Sequence, residues 1–460
     1  MKHFGYTIAA SIILQILAKD KIHGVPPIEG SPLKDILQEG IAAEIFPGAV
    51  AAWGSSKGVH FSTAEGHFTY NATSSNPMTL DTIFDVASLT KVVAATSAVG
   101  LLYQDGFLSL DDTIANLLDA SFSSPDGTKS TVSVRHCLTH TAGFPADPSP
   151  WYWNQSFGCP LPSEPLSSPP AEDFRCLPLI YDKLMDQPLD ATPGQTFLYS
   201  DFSFITLMFT VGSVVLDNKL VETEALCQVC IGTFDDDNGT SSTPRAAKLA
   251  CAFEAFVRTR VFTHFLPSSA FLLDSSFWPV TAPTNNDTEY TLQTPLQGQV
   301  ADGDAFAMGG ISGHAGLFSN MPDLANLASN FLQSLSGDPS NGPALLNQST
   351  LSRFIAVQDT NISSRALGWD TNLRSVNDYG FDGVCGDILS PKTFLHIGYT
   401  GTCLCVDLES DFWSVILTNR VFNCQGQICP TDSEDYVKSV YRKFNTVAAL
   451  DSKSGDYPAE

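Results

Sequence analysis

Apolar positions recur with helical spacing in some stretches of this chain and alternate in others, and that pattern divides it before any chemistry is considered. From Ser88 to Gln104, the residues Leu89, Val92, Val93, Val99 and Leu102 share one face and Gly106 supplies a C-terminal stop, so the spacing predicts a helix. Ser31 with Pro32 behind it reads as an N-cap and first-turn proline opening a helix through DILQEGIAAEIF. The stretch from Asp435 to Leu450 has the same periodicity. Ala49 to Trp53 and Val59 to Thr63 read as strands joined by a turn over Gly54 to Gly58, and Thr393 to Leu395, Thr402 to Asp407 and Trp413 to Leu417 as strands near the other end. The strand-rich pieces thus lie at both ends of the chain, around a mainly helical middle.

Two longer apolar runs need separate treatment. Tyr6 to Ala18, behind Lys2 and His3, is short and early, which predicts a signal peptide over residues 1–18, cleaved near Ala18; a signal anchor is the competing reading, against which Lys19, Asp20 and Lys21 follow at once. Phe202 to Leu216 is too short to span a bilayer and predicts a buried core helix. Between these, Asp147 to Leu177 is dense in Pro and Ser and carries Trp151, Tyr152 and Trp153; it reads as a long excursion pinned by Cys159 and Cys176. A second excursion, Glu222 to Ala246, holds the acidic run Asp235 to Asp237. The polar C-terminus, residues 451–460, carries neither an anchor tail nor a lipidation signal.

Composition narrows the class. With 43% hydrophobic and 16% charged residues, the chain has the make-up of a globular enzyme. A net charge of −25 with no basic run argues against nucleic acid and anionic membranes as partners. Sequons at Asn71, Asn154, Asn238, Asn286, Asn347 and Asn361, together with the leader, predict a secreted glycoprotein. Eleven cysteines predict disulfides and, the count being odd, at least one thiol left over. Cys227 and Cys230 form a C-x-x-C without a second pair, so a structural disulfide is the expectation there.

Chemistry enters at Ser88-Leu-Thr-Lys91. Residues three apart share a helix face, which sets an amine beside a hydroxyl at a helix N-terminus. Ser31-Pro-Leu-Lys34 has the same pattern and is explained by capping alone, so the motif needs its context. IFDVASLTKVVAAT around Ser88, YSD at Tyr199 to Asp201 and HIG at His396 to Gly398, followed by YTGT, supply it. LTHTAGFP at Leu138 to Pro145 and AMGGISGHAGLFS at Ala307 to Ser319 fall between them. These ordered segments resemble the serine β-lactamase and penicillin-binding-protein-like family, in particular its class C β-lactamase-related esterases and D-peptidases, over nearly the whole mature chain.

That resemblance implies an α/β (α+β) fold. An antiparallel sheet formed by both chain ends, with flanking helices, would occupy residues 25–130 and 380–450, and an inserted mainly helical domain residues 131–379, with the cleft between them. It implies Ser88 as nucleophile, Lys91 and Tyr199 sharing proton transfer, and an oxyanion hole from the backbone N–H groups of Ser88 and Tyr399. Gly398 is expected to be glycine so that no side chain blocks the substrate. His396 stands where relatives carry Lys or His, with a substrate-facing role and a structural one both open. Two residues depart from the pattern: Asp201 replaces an Asn, and Ile397 replaces a hydroxyl residue that would help hold a substrate carboxylate. Asp201 either turns towards Lys91 or caps the helix that follows.

The remaining histidines read as structural. His136 and His140 lie four apart but lack an H-E-x-x-H, and His314 sits in a glycine-rich loop as a hydrogen-bonding residue. No metal or cofactor is expected. The predicted function is hydrolysis of a small ester or amide through an acyl-serine. The alternative is a non-catalytic binding or scaffolding relative.

Overall fold

The computed structural model describes residues 31–159, 176–222, 225–226, 245–285, 295–373, 383–423 and 433–454. The leader, Cys227 and Cys230, the run Asp235 to Asp237, the sequons Asn238 and Asn286, and residues 455–460 lie outside them.

Helix α1 (Pro32–Ala42) starts behind Ser31 as the sequence predicts, with Pro32 in its first turn, although the Ser31 side chain makes no capping hydrogen bond. Strands β1 (Gly48–Ser55) and β2 (Gly58–Gly66) form an antiparallel hairpin. The short strand β3 (Phe84–Asp85) leads into Ser88 and then into one π-helical stretch, Lys91–Thr96, that continues as α2 (Ser97–Gln104). The run at 202–216 is α3 (Asp201–Asp217), packed against α4 (Arg245–Val257). The two backbones approach closely at Gly212, where a Cβ would meet the Leu249 carbonyl oxygen at 2.2 Å. A helix enclosed on all sides reads as apolar on all sides, which is why this stretch carries so little amphipathic signal.

The second half supplies β4 (Phe318–Ser319), α5 (Met321–Ser336) and the strands β5 (Asp370–Thr371), β6 (Phe394–Gly398), β7 (Thr402–Asp407) and β8 (Phe412–Thr418), before α6 (Ser433–Ser454). The main sheet has the order β2-β1-β8-β7-β6-β5 and is antiparallel throughout. Both chain ends therefore meet in its centre at β1 and β8, as the predicted fold requires. The edge strand β5 comes from within the stretch read as helical, and α6 runs four residues into the stretch read as a tail.

Side-chain alternation gives this sheet two apolar faces. Ala49, Ala51 and Ile416 pack with Leu37 of α1 and with Tyr441 and Phe444 of α6. Val50, Ala52, Val415 and Leu417 belong to the larger core shared with α5 and the helical part. Since both faces are covered, β1 is buried at all its positions and its sequence shows no polar alternation. The Cys159–Cys176 disulfide closes the Pro/Ser-rich excursion as expected, and Cys385–Cys405 ties the chain before β6 to β7. Cys137 and Cys403 are buried thiols.

Candidate active site

The turn before Ser88 is held from three sides. Asp85 is buried and accepts hydrogen bonds from the N–H of Ala87 (2.8 Å) and of Ala301 (2.7 Å). Burial pushes its carboxyl up to about 6, and those amides pull the other way. Ala87 has φ +46°, in the left-handed region that costs an alanine about 1 kcal/mol. Thr90 Oγ donates to the Ala87 carbonyl (2.6 Å) and accepts from Leu317 N–H (3.1 Å), so a side chain from the following turn braces the strained residue. Thr400 and Thr402 hydroxyls donate to the carbonyls of Asp85 (2.7 Å) and Val86 (3.0 Å), fastening the β6–β7 turn onto the same segment.

Lys91 then lies on the same helical face as Ser88. Its Nζ is 3.0 Å from Ser88 Oγ, 3.1 Å from the His314 carbonyl oxygen and 2.7 Å from Asp201 Oδ1, and its side chain is 0% exposed. Asp201 is the first residue of α3, behind the N-cap Ser200; of the two orientations open to it in the sequence, it takes the one towards Lys91. Burial acts to lower the lysine's proton affinity, but Asp201 and then Tyr199 beside it outweigh that, and the ammonium is held above the ordinary lysine range. In the resting site Lys91 is therefore a donor to Ser88.

Tyr199 is positioned by its ring. The His140 imidazole stacks on it at 4.4 Å, the Arg365 guanidinium lies 5.4 Å from its centroid, and Lys91 Nζ lies 4.9 Å away on the π system. His140 is buried, has φ +55° and accepts from Ser200 N–H through Nδ1 at 3.0 Å; burial holds it neutral. His136 instead closes a capping box with Ser133. Neither histidine is arranged as a metal ligand pair with the other.

Of the two roles open to His396, the structure shows a buried one: it is fully buried, donates from Nδ1 to the Ile397 carbonyl (2.8 Å), is held neutral by burial, and lies 6.2 Å from the Tyr199 ring. Its alternation on β6 turns it inward beneath Tyr199 while Leu395 and Ile397 pack into the core with α1 and α6. Packing gives Gly398 a reason to be glycine besides the one expected. A Cβ there would meet Thr402 Oγ1 at 2.2 Å and the Val86 carbonyl oxygen at 2.4 Å, so the small residue lets β6 close onto the segment carrying Ser88. Tyr399, next in line, is 44% exposed with the Arg420 guanidinium 4.7 Å from its ring.

Sequence reasoning missed Asp85, Arg365 and Asp302. Asp85 left one signal, a carboxylate inside the apolar stretch IFDVA; Arg365 and Asp302 left none. Asp302 accepts from His314 Nε2 at 3.0 Å, while His314 Nδ1 contacts Ser312 Oγ at 2.7 Å. Asp201, Asp302 and His314 bring their polar atoms within 4.8 Å of one another, and the Lys91 ammonium is paired with Asp201 of this cluster.

Residues 33–214 and 246–427 match the family model described as Beta-lactamase. An Escherichia coli (strain K12) protein with a D-alanyl-D-alanine carboxypeptidase-type name is 30% identical over 349 residues, 74% of this chain and 70% of its own. A penicillin-binding protein homologue from Caulobacter crescentus superposes with a TM-score of 0.59 at 17% identity, covering 94% of this chain and 100% of that one. Simvastatin synthase from Aspergillus terreus gives 0.59 at 13% identity, covering 92% and 98%. At these identities the two structures speak for the fold.

Proposed function

Since the chain belongs to the Beta-lactamase family of serine hydrolases, we propose that it hydrolyses a small ester or amide through an acyl-enzyme on Ser88. The observation that carries this reading is the 3.0 Å contact between Lys91 Nζ and Ser88 Oγ, made beside Tyr199 on a braced turn. Ser88 Oγ attacks the carbonyl carbon, its proton passes into the Lys91–Tyr199 pair and on to the leaving group, and water then cleaves the acyl-serine. The N–H groups of Ser88 and Tyr399 are assigned to the oxyanion, on the strength of the two threonine hydroxyls that fasten Tyr399's turn to the nucleophile's segment.

Charge sets the substrate preference: Asp201 and Asp302 lie beside Lys91, while Ile397, the position without a hydroxyl, packs into the core with α1 and α6. A neutral ester fits this cleft better than a substrate with a carboxylate next to the scissile bond. The name of the Escherichia coli relative favours a second reading, a peptidase acting on D-alanyl peptides. A fluorophosphonate should label Ser88, located by mass analysis, and kcat/KM for p-nitrophenyl butyrate should exceed that for a cephalosporin or a D-alanyl-D-alanine peptide by at least tenfold, roughly one pKa unit's worth of electrostatic preference. Comparable values would decide for the second reading.

The proposal extends to location. The signal-like start supports export, and the sequons Asn71, Asn347 and Asn361 are exposed. Among the described residues no helix is long and apolar enough to cross a membrane. N-terminal sequencing from a glycosylating host should find a start shortly after Ala18 and N-glycans on those asparagines; Met1 retained on cytosolic protein would overturn it.

A further inference from the structure

Beyond Ser88, Lys91 and Tyr199, the site contains an imidazole and a carboxylate that the reaction as written does not use. His314 is buried in a glycine-rich loop, with Ser312 Oγ 2.7 Å from Nδ1 and Asp302 Oδ1 3.0 Å from Nε2. The His314 main chain also takes part, since its carbonyl oxygen accepts from Lys91 Nζ at 3.1 Å. The loop is stitched to the nucleophile's turn by Leu317, whose N–H donates to Thr90 and whose carbonyl accepts from Val86 N–H at 3.0 Å. The same Asp302 oxygen, Oδ1, also caps a short helix, accepting from Ala305 N–H at 2.8 Å.

Charged and titratable groups face Lys91 from every element packed around it. From α3 comes Asp201, in contact with the ammonium, and from the residues before α3 comes Tyr199. His140, His396 of β6 and Arg365 lie around that ring, both imidazoles held neutral by burial. Asp302 and, within the short helix that it caps, Asp304 complete the acidic side, and burial beside Asp302 pushes Asp304 well up. From the loop before α3 comes Asp147, pushed up to about 6 by burial and by Asp201 and Asp302. His314 faces Asp302 and Asp201; burial acts against its protonation, but those carboxylates outweigh it and push its proton affinity up, which favours an imidazolium against Asp302, itself pulled down to about 2.

We infer that His314 and Asp302 form a positioning pair for Lys91: an ion pair, neutral as a unit, that holds the carbonyl oriented towards Nζ and keeps the Asp302 charge from adding to that of Asp201. Without the imidazolium, Lys91 faces two bare carboxylates in a buried setting, its ammonium is held more tightly, and the deprotonated site is reached only at higher pH. Without both charges, the unit is again neutral and Lys91 returns to its single counter-ion. The inference rests on the reading that Lys91 serves Ser88.

The two roles available to His314, loop fixation and charge compensation, give opposite results in one experiment. His314→Gln, Asp302→Asn and the double variant are compared with wild type by the pH profile of p-nitrophenyl butyrate hydrolysis and by fluorophosphonate labelling of Ser88, with the thermal midpoint recorded for each. His314→Gln should lower kcat at pH 7 by about tenfold with little change in KM and displace the profile to higher pH by about one unit. Asp302→Asn keeps the helix cap and removes a carboxylate from the surroundings of Lys91, so it should not displace the profile to higher pH. The double variant should regain most of the activity lost in His314→Gln, a coupling between the two sites that no additive loss reproduces. A double variant as slow as His314→Gln or slower, or a His314→Gln profile that does not move, overturns the inference while wild-type labelling at Ser88 still stands. If His314→Gln does not fold, an Asp302→Asn profile displaced to higher pH overturns it alone. Absence of wild-type labelling would instead remove the underlying reading of the site.

Discussion

Ser88→Ala is expected to abolish both turnover and covalent labelling while leaving the fold intact. Ser88 sits on a turn whose shape is set by other residues, the Asp85 carboxylate, the Thr90 hydroxyl and the threonines of the β6–β7 turn, none of which needs the Ser88 side chain. Removing Oγ therefore removes the attacking atom and little else. Where nucleophile and base act as a unit, loss of the nucleophile alone costs roughly 10⁶-fold in kcat. The unfolding midpoint should move by no more than a few degrees, as for a substitution that creates no cavity and strands no buried charge. Residual hydrolysis within about 100-fold of wild type, or an adduct on Ser31 or Ser312, would refute the assignment.

Asp201→Asn is expected to move the pH profile to lower pH and to raise the rate at pH 7. Asp201 lies 2.7 Å from Lys91 Nζ, and it heads the causes that raise the lysine against the opposing pull of burial. A group raised in this way stays protonated through neutral pH, so the deprotonated site is scarce there and increases only under alkaline conditions. An asparagine keeps the size and a hydrogen-bonding oxygen but removes the charge. The sign follows directly: with the counter-ion gone, Lys91 releases its proton at lower pH. A displacement of one unit corresponds to about 1.4 kcal/mol and a tenfold rise in the deprotonated fraction. The pair also has a structural side, because the same raised affinity means that its contribution to stability is present at neutral pH and is lost only as pH rises through the raised value. Asp201→Asn should thus cost some thermal stability at pH 7 while increasing the rate. An unmoved profile, with wild type already at its maximum at pH 7, defeats this account.

The parts of this molecule that were legible in the sequence are those whose signal is local. The hairpin β1–β2, the helix behind Ser88 and the strands β7 and β8 were found because apolar spacing and turn residues report what a segment does with its own neighbours. The Ser88–Lys91 juxtaposition belongs to the same class: two residues three apart on one helix turn meet whatever else the chain does, although the helix continues from Lys91 as a π-helical stretch. The order of the motifs then carried the family, because each marks a segment that must reach one cleft.

Other features had no local signature, and only the tertiary structure decided them. Asp201 had two orientations open to it as a helix-start residue, and the choice was made by Lys91, a hundred residues earlier in the chain. At Gly398 the sequence offers only substrate space as a reason for glycine, whereas the packed chain adds Thr402 and the Val86 carbonyl, whose atoms exclude a Cβ. The inward burial of His396 follows from which face of β6 meets the helical part, a matter of sheet register and packing that a five-residue strand does not encode. Asp302 and His314 gain their electrostatic meaning from a lysine more than two hundred residues away. The amino-acid sequence by itself thus determined the elements, the family and the pair at the head of the helix. The charge environment that sets that pair's chemistry was decided by long-range packing, because electrostatic coupling depends on distance and burial and leaves no trace in spacing along the chain.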